Sequence, residues 1–477
     1  MSVTRFPRAI RFIMWNEAAE RFTFYGMKAI LTTFLVSYFF NPQGLPGLQD
    51  TATARANEQT HLFITLAYAA SIIGAFAADW FLGKYRTILY LSLVYLAGIA
   101  CQAFFVQDYT VFMCGVYLIA LGSGGIKPCV SANVGDQFTA ANQHLVSKAF
   151  SLFYFCINFG SFCSTLLIPV VYVYYGPGLA FGIPGILMAL ATIIFAAGNK
   201  TYIKVPPRGY PRQHFLRITG YALAGWLKGK KGKRPLLDIA REKYPDEAVN
   251  GIRAVWQILA VFAFIPVFWA LYDQNSSEWV LQAGYLDRNI FGYTLLVQQV
   301  QAINPILILL FIPLFTVVVF PRLEARGIVV PPLYRIGIGL LFTLGAFLLI
   351  YRIQVWIDAG AHPSVWWQLL AYFILTTGEV LVYMTGLEYA YAQAPKSMKS
   401  TIMAFWLLTV AVGNYFVSLV NSNIASGGFL SQLRGANYYL FFSGVMAVTI
   451  VLYFLFIRSL DRGRRKGPSP ATAGISE

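Results

Sequence analysis

The chain has 477 residues, of which 57% are hydrophobic and 12% charged, with a formal net charge of +16. A soluble domain carries about twice that charged fraction, so composition excludes an ordinary soluble enzyme or binding module and specifies a polytopic membrane protein. Its basic residues are dispersed among loops instead of forming one footprint, which argues against a nucleic-acid partner.

Apolar runs long enough to cross a bilayer recur at residues 10–40, 60–81, 87–106, 109–130, 148–173, 179–197, 254–280, 294–320, 332–351, 365–393, 400–424 and 436–457. They predict an all-α polytopic membrane protein of about twelve transmembrane helices in two six-helix bundles. An even number places both termini on one side. Lysine and arginine crowd the N-terminus, alternate loops and the tail, whereas the opposite loops hold Arg55, Arg288, Arg352 and Arg434, so both termini are expected to be cytoplasmic. The plan reads as an N-terminal bundle (1–198), a cytoplasmic basic linker (199–253), a C-terminal bundle (254–458) and a disordered tail (459–477). Two such halves suit a binding site near the bilayer midplane.

Met1 to Arg11 leads straight into a helix too long and too charged for a cleaved signal. The cysteines at 101, 114, 129, 156 and 163 include no CxxC pair, so neither a disulfide framework nor a metal site is expected. An intramembrane enzyme finds no support: there is no HExxH or GxSxG, and His61, His144, His214 and His362 are far apart. No GxxxxGK[ST] string occurs, so ATP-driven transport has no support either, and no cofactor is expected.

Span one carries Glu17, Glu20, Arg21, Tyr25 and Lys28, which fall within one stripe of a helix. Each ionisable residue at the bilayer centre is disfavoured by roughly 2.5 to 3.5 kcal/mol, so several on one face suit a lined pathway, or an internal salt-bridge cluster that pins the bundle. Span two brings His61, Tyr68 and Asp79 back to nearly one face, with His61 at the outer end and Asp79 at the inner end. Gly122 to Gly125 in span four permit close helix approach, and Lys127 is a membrane-depth cation that needs an anionic partner or ligand. Tyr154, Asn158 and Ser161 share a face of span five, as substrate contacts or as hydrogen-bonding glue between helices.

The linker string Lys228 to Arg234 is either a headgroup contact or a plain solvated segment. In span seven Trp269 and Asp273 lie one turn apart, with Asp273 toward the outside at the depth of His61. Span eight has Gln301, Asn304 and Pro305, the proline being expected to free a carbonyl and kink the helix. Span ten has Glu379 near its middle and Glu388 lower down; nine residues is about 180° of turn, so in a straight helix they cannot share a face. Glu379 is therefore assigned to a pocket and Glu388 to a cytoplasmic contact.

The string Glu17-x-x-Glu20-Arg21-Phe22-x-x-Tyr25-Gly26 resembles the first-helix signature of the proton-dependent oligopeptide transporter family, a branch of the major facilitator superfamily. Further matches follow in order along the chain: Ala78-Asp79 with Gly83-Lys84, Gly125-Ile126-Lys127-Pro128, Phe150 to Ser161, Phe268-Trp269, Asn304-Pro305, Gly378-Glu379 and Gly386 to Pro395. Phe24, Lys28 and Tyr383-Met384 depart from what many members carry, which bears on substrate preference more than on transport.

The resemblance implies a major facilitator fold and proton-coupled uptake of di- and tripeptides by alternating access. Arg21, Lys28 and Lys127 would meet the peptide carboxylate and Glu379 its amine. Asn158 and Asn304 would reach the peptide backbone, while Tyr25, Tyr68, Tyr154, Trp269 and Trp406 would wall side-chain pockets. Proton candidates are Glu17 and Glu20 beside Arg21, and His61 with Asp273 near the outer gate; Asp79, Lys84 and Glu388 would form the cytoplasmic gate. The expected partners are peptides, protons and the lipid bilayer, with a bacterial cytoplasmic membrane as the location. Two other readings are a related transporter for another anion or zwitterion, such as nitrate, an amino acid or a peptide-like drug, and a peptide-binding membrane receptor without flux.

Overall fold

The computed structural model describes residues 6–139, 142–207, 209, 215–228, 235–393 and 399–466. The basic string beyond Lys228, most of the tail and the Ala394-Pro395 end of the span-ten motif lie outside the described residues.

The N-terminal half is built from α1 (Arg8–Phe34), α2 (Pro46–Phe76), α3 (Lys84–Phe104), α4 (Tyr109–Asp136), α5 (Val146–Tyr175) and α6 (Pro177–Ala197). The linker contributes α7 (Phe215–Leu227) and a 3-10 segment, Leu236–Glu242. The C-terminal half contains α8 (Asp246–Phe262), α9 (Ile265–Tyr272), α10 (Glu278–Ala283), α11 (Ile303–Pro313), α12 (Phe320–Ala325), α13 (Pro332–Asp358), α14 (Val365–Glu379), α15 (Thr385–Gln393), α16 (Lys399–Ala425) and α17 (Ala436–Lys466).

Ten helical stretches among the described residues are long and apolar enough to cross a membrane, and the bent pair 246–262 and 265–283 makes an eleventh if it is one span. Helix α1 has the length, 27 residues, but carries four charges between Glu17 and Lys28. That difference from the expected twelve marks the element whose polarity is hardest to reconcile with lipid. On α6, by contrast, Leu179, Ile183, Ile186, Leu190 and Ile193 form an uncovered apolar stripe at helical spacing, the surface a lipid-facing helix presents.

Two large apolar cores form among the described residues, beside a small cluster of Ile308, Phe311 and Val380. One joins α1 to α6 around Ile30, Phe63, Phe112 and Ile119; the other gathers α8 to α17 around Phe268, Trp279, Phe347 and Tyr453. Small residues let α2 and α4 nearly touch: a methyl on Gly74 would lie 2.2 Å from the Gly125 carbonyl oxygen, so only glycine fits.

Four local expectations are corrected. Span seven is not continuous: Pro266 sits in the first turn of α9, where a missing N–H costs nothing, so the chain breaks after Phe262, and a 3-10 turn, Asp273–Ser276, then separates α9 from α10. Pro305 does not kink a helix from within, because a 3-10 segment, Val297–Ala302, leads into α11 and places this proline in its first turn. Span ten is not a straight helix: five residues, Val380–Met384, are π-helical, which changes the phase between Glu379 and Glu388. A two-stranded hairpin, β1 (Asn289–Ile290) and β2 (Tyr293–Thr294), also interrupts the all-α plan, turning at Phe291 (φ 50°) and Gly292 (φ 87°).

The linker is structured where it is described. Phe215, Ile218 and Ala222 of α7 are buried, and Phe215 packs its ring against Trp256 and Phe405 of the C-terminal half.

The polar bonds that join the two halves cluster at one end, the end assigned to the outside by the basic residues. Gln298 donates to Thr33, Gln299 to the Leu166 carbonyl, Gln301 to the Ala29 carbonyl and Ser418 to the Glu58 carbonyl, at 2.9 to 3.4 Å. Asn57 and Glu278, and Arg434 and Asp50, join there as well. Lys84, by contrast, pairs at 2.6 Å with Asp136 of its own half. The two halves are thus closed on each other at that end.

Candidate binding cavity between the halves

A cavity of about 530 Å³ lies between the halves, within the range that encloses a small ligand. From the N-terminal half it is lined by Glu17, Arg21, Phe24, Tyr25, Lys28, Tyr68, Lys127, Tyr154 and Asn158; from the C-terminal half by Trp269, Tyr272, Asp273, Gln301, Asn304, Glu379 and Tyr383. Twelve of the residues that the sequence suggested for substrate or proton binding therefore share one wall-to-wall space, although they come from helices far apart in the chain.

Helix α1 supplies one end of the charge system. The Arg21 Nε meets Glu17 Oε1 at 3.1 Å, and a terminal nitrogen of Arg21 pairs with Glu20. The hydroxyl of Ser123, on α4, donates to Glu20 Oε1 at 2.7 Å. Glu20 is fully buried and does not line the cavity. Three residues is 300° of turn, a net 60° from Glu17, so Glu20 sits at the edge of the stripe, where it meets α4 while Glu17 faces the cavity.

Lys127 differs from the other two cations. Its ammonium stands 4.3 Å from the Phe24 ring centre and 4.1 Å from that of Tyr68, in a cation–π arrangement. It has no hydrogen-bond partner among the described residues. Arg21 is engaged by carboxylates and Lys28 by Asp273 at 3.1 Å, so Lys127 is the lining cation whose donors are unused.

Across the cavity Glu379 Oε2 accepts from Asn304 Nδ2 at 3.0 Å. Asn304 also donates to Thr376 Oγ1 at 3.0 Å, and its Oδ1 faces the Tyr272 hydroxyl at 3.3 Å. Asn304 thus lines the cavity while its side chain holds Glu379. Asn158 donates to the Tyr154 carbonyl at 2.9 Å and lines the cavity.

Trp406 is also displaced from its expected place. It is 1% exposed, does not line the cavity, and packs behind Trp269 and Tyr383 at ring distances of 6.4 and 5.9 Å. Trp269 takes the lining position, and its indole N–H has no partner among the described residues.

The outer ceiling of the cavity is a relay that crosses between the halves more than once. Lys28 meets Asp273 Oδ1; Asn414 Nδ2 donates to Asp273 Oδ2 at 2.7 Å; the Asn414 Oδ1 accepts from His61 Nδ1 at 2.7 Å; and His61 Nε2 meets the Ser277 hydroxyl at 2.9 Å. His61 is wholly buried above the cavity and does not line it. Sequence reading did not find Asn414, Ser277 or Ser123. An asparagine inside the apolar run 400–424 was the available signal for the first of these.

The residues assigned to a cytoplasmic gate are not joined to each other. Asp79 and Glu388 are exposed, and the Lys84–Asp136 pair links α3 to α4 within one half.

A family model described as the POT family matches residues 85–430. The chain is 36% identical over 405 residues to human solute carrier family 15 member 2, covering 81% of this chain and 54% of that protein. It is 39% identical over 375 residues to peptide transporter family 1 of Drosophila melanogaster, covering 75% and 49% respectively. The chain thus spans about half the length of these curated relatives. Among solved structures, that of the POT family transporter PepTSo superposes with a TM-score of 0.87 at 37% identity, covering 96% of this chain and 99% of that one. Matched over most of its length by sequence and by fold, the chain belongs to the POT family, the proton-dependent oligopeptide transporters.

Proposed function

We propose that this protein carries di- and tripeptides into the cell together with protons, by alternating access of its two halves, in a bacterial cytoplasmic membrane. The observation that carries the reading is the cavity's charge layout: an unused ammonium, Lys127, on the N-terminal wall and a carboxylate, Glu379, on the C-terminal wall. A zwitterion of peptide length satisfies both at once, and binding it draws the halves together. The aromatic rings of Tyr25, Tyr68, Tyr154 and Trp269 between those poles accept side chains of many shapes. The names of the relatives, solute carrier and peptide transporter, agree with this reading.

Coupling follows from competition for Arg21. While Glu17 and Glu20 are ionised they hold the guanidinium; a proton on either weakens that hold and leaves donors for a peptide carboxylate, which links proton and peptide binding. Glu20 acts on Arg21 from behind, with Ser123 fixing it, and Glu17 acts from within the cavity. His61, Asn414 and Asp273 hold the outside shut, and Asp79, Lys84 and Glu388 belong to the cytoplasmic closure that forms when the outside opens. One proton falling through ~100 mV and one pH unit supplies about 3.7 kcal/mol, enough for a several-hundred-fold gradient of a neutral peptide.

The test is uptake of labelled dialanine into vesicles, by counterflow and by a pH gradient, comparing the native chain with Glu20→Gln. The native chain accumulates peptide uphill toward the less acidic side, while the variant loses uphill uptake and keeps exchange. If the native chain neither exchanges nor accumulates dialanine under any gradient, the peptide assignment fails.

A further inference from the structure

The bond between Asn57 and Glu278 belongs to neither the cavity nor the relay through His61, yet it ties the same two halves. Asn57 lies on α2 one turn before His61 and is fully buried; Glu278 begins α10, directly after the Ser277 that meets His61. The Asn57 Nδ2 donates to one oxygen of Glu278. The other end of the same amide, Asn57 Oδ1, is buried with no partner among the described residues. A buried acceptor left unpaired costs about 1 to 3 kcal/mol.

A carboxylate cannot relieve that cost, because it only accepts; a carboxylic acid can, because its O–H donates. The two groups then form a closed acid–amide pair, N–H to carboxyl oxygen and O–H to amide oxygen. We propose that Glu278 is a further proton-binding group of the transport cycle, which when protonated closes on Asn57 through two hydrogen bonds and holds the outer ends together, and when ionised holds them through one. The step moves one proton from the medium to a Glu278 oxygen while the outer face is open and needs no other reactant. It rests on the proton-coupled reading above, and its direction suits import: acid outside favours the outer closure that follows loading.

The charged and titratable groups near Glu278 add no rival cation. Asp50 of α2 faces it, with Arg434 at 3.4 Å from Asp50; Tyr285, which follows α10, and Tyr438 and Tyr439 of α17 complete the surroundings, with His61 a turn away on α2. None of these forms an ion pair with Glu278 among the described residues.

The test reads the outer gate directly and needs no substrate. Spin labels at Leu48→Cys on α2 and Phe429→Cys in the outer loop before α17, both exposed, report the distance between the halves in the full chain reconstituted in vesicles. The five native cysteines are replaced by serine, and that background is checked for dialanine exchange. Between pH 8 and pH 5 the closed-to-open ratio should rise about tenfold more in the native gate than in Glu278→Gln, the equivalent of one further hydrogen bond. The amide of Glu278→Gln donates to Asn57 at every pH, so its gate stays closed without acid. Asn57→Ala should lose the same acid response and stay more open. An acid response in Glu278→Gln or Asn57→Ala equal to the native one overturns the proposal, as does a Glu278→Gln gate that opens at both pH values. Absence of dialanine exchange in an otherwise acid-responsive gate would instead overturn the peptide reading alone.

Discussion

His61 and Asp273 do not touch; Asn414 stands between them, accepting from the His61 ring at 2.7 Å and donating to the Asp273 carboxylate at 2.7 Å. The amide therefore dictates which ring nitrogen carries hydrogen: its oxygen faces Nδ1, so Nδ1–H donates and Nε2 is left for Ser277. One side chain from α16 thus makes a histidine of one half and an aspartate of the other a single unit.

Asn414→Leu should break this unit. It removes the hydrogen bonds to His61 and to the charged Asp273, together with a local one to the Val410 carbonyl, and leaves the Asp273 carboxylate its pair with Lys28. A loss of about 2 kcal/mol from outer closure, or roughly thirtyfold in the gate equilibrium, is expected. Uphill dialanine uptake should collapse while counterflow persists, and equal loss of both would show that Asn414 is needed for binding instead.

Lys127→Gln addresses the unused ammonium. A charge-assisted hydrogen bond to a carboxylate contributes about 1.5 to 3 kcal/mol, so the KM for dialanine should rise at least tenfold. A variant esterified or amidated at the peptide carboxylate should lose this sensitivity to Lys127. An unchanged KM for the free acid would remove Lys127 from the carboxylate end.

Glu379→Gln separates the peptide reading from that of another anion. Uptake of a free-amine dipeptide should fall by tenfold or more, whereas an amine-free analogue of the same length should be spared. Two equally unaffected substrates would mean that the amine is recognised elsewhere, and the Asn304–Glu379 bond at 3.0 Å would then be structural.

Gly74→Ala tests the packing of α2 on α4. The added methyl would lie within 2.3 Å of the Gly125 Cα as well as against its carbonyl, and backbone on both sides cannot yield as a side chain does. Overpacking of this kind costs about 1 to 3 kcal/mol, so the thermal midpoint in detergent should drop by several degrees. A midpoint unchanged from that of the native chain would mean the two helices separate freely here.

Much of this protein was legible in its residues because lipid is an intolerant solvent. A charge at Glu17, Arg21, Lys127 or Glu379 in an apolar run stands out without any neighbour being known, and the basic loops orient the chain. Helical spacing then put Tyr25 and Lys28 on the cavity side correctly. It did not give depth within the bundle: Glu20, a net 60° from Glu17, turns to Ser123, and Trp406 lies a layer behind Trp269.

What tertiary structure alone decided was which polar groups are already satisfied. Helices are locally encoded, but hydrogen-bond partners 353 residues apart, as His61 and Asn414 are, depend on how the halves dock. Docking assigns Lys28 to Asp273 and Asn304 to Glu379, and it leaves the Lys127 ammonium and the Asn57 carbonyl oxygen unpaired among the described residues. The sequence determined where charge sits along the chain, and the fold determined which of those charges remain free to bind, because satisfaction of a buried polar group is a property of its neighbours in space.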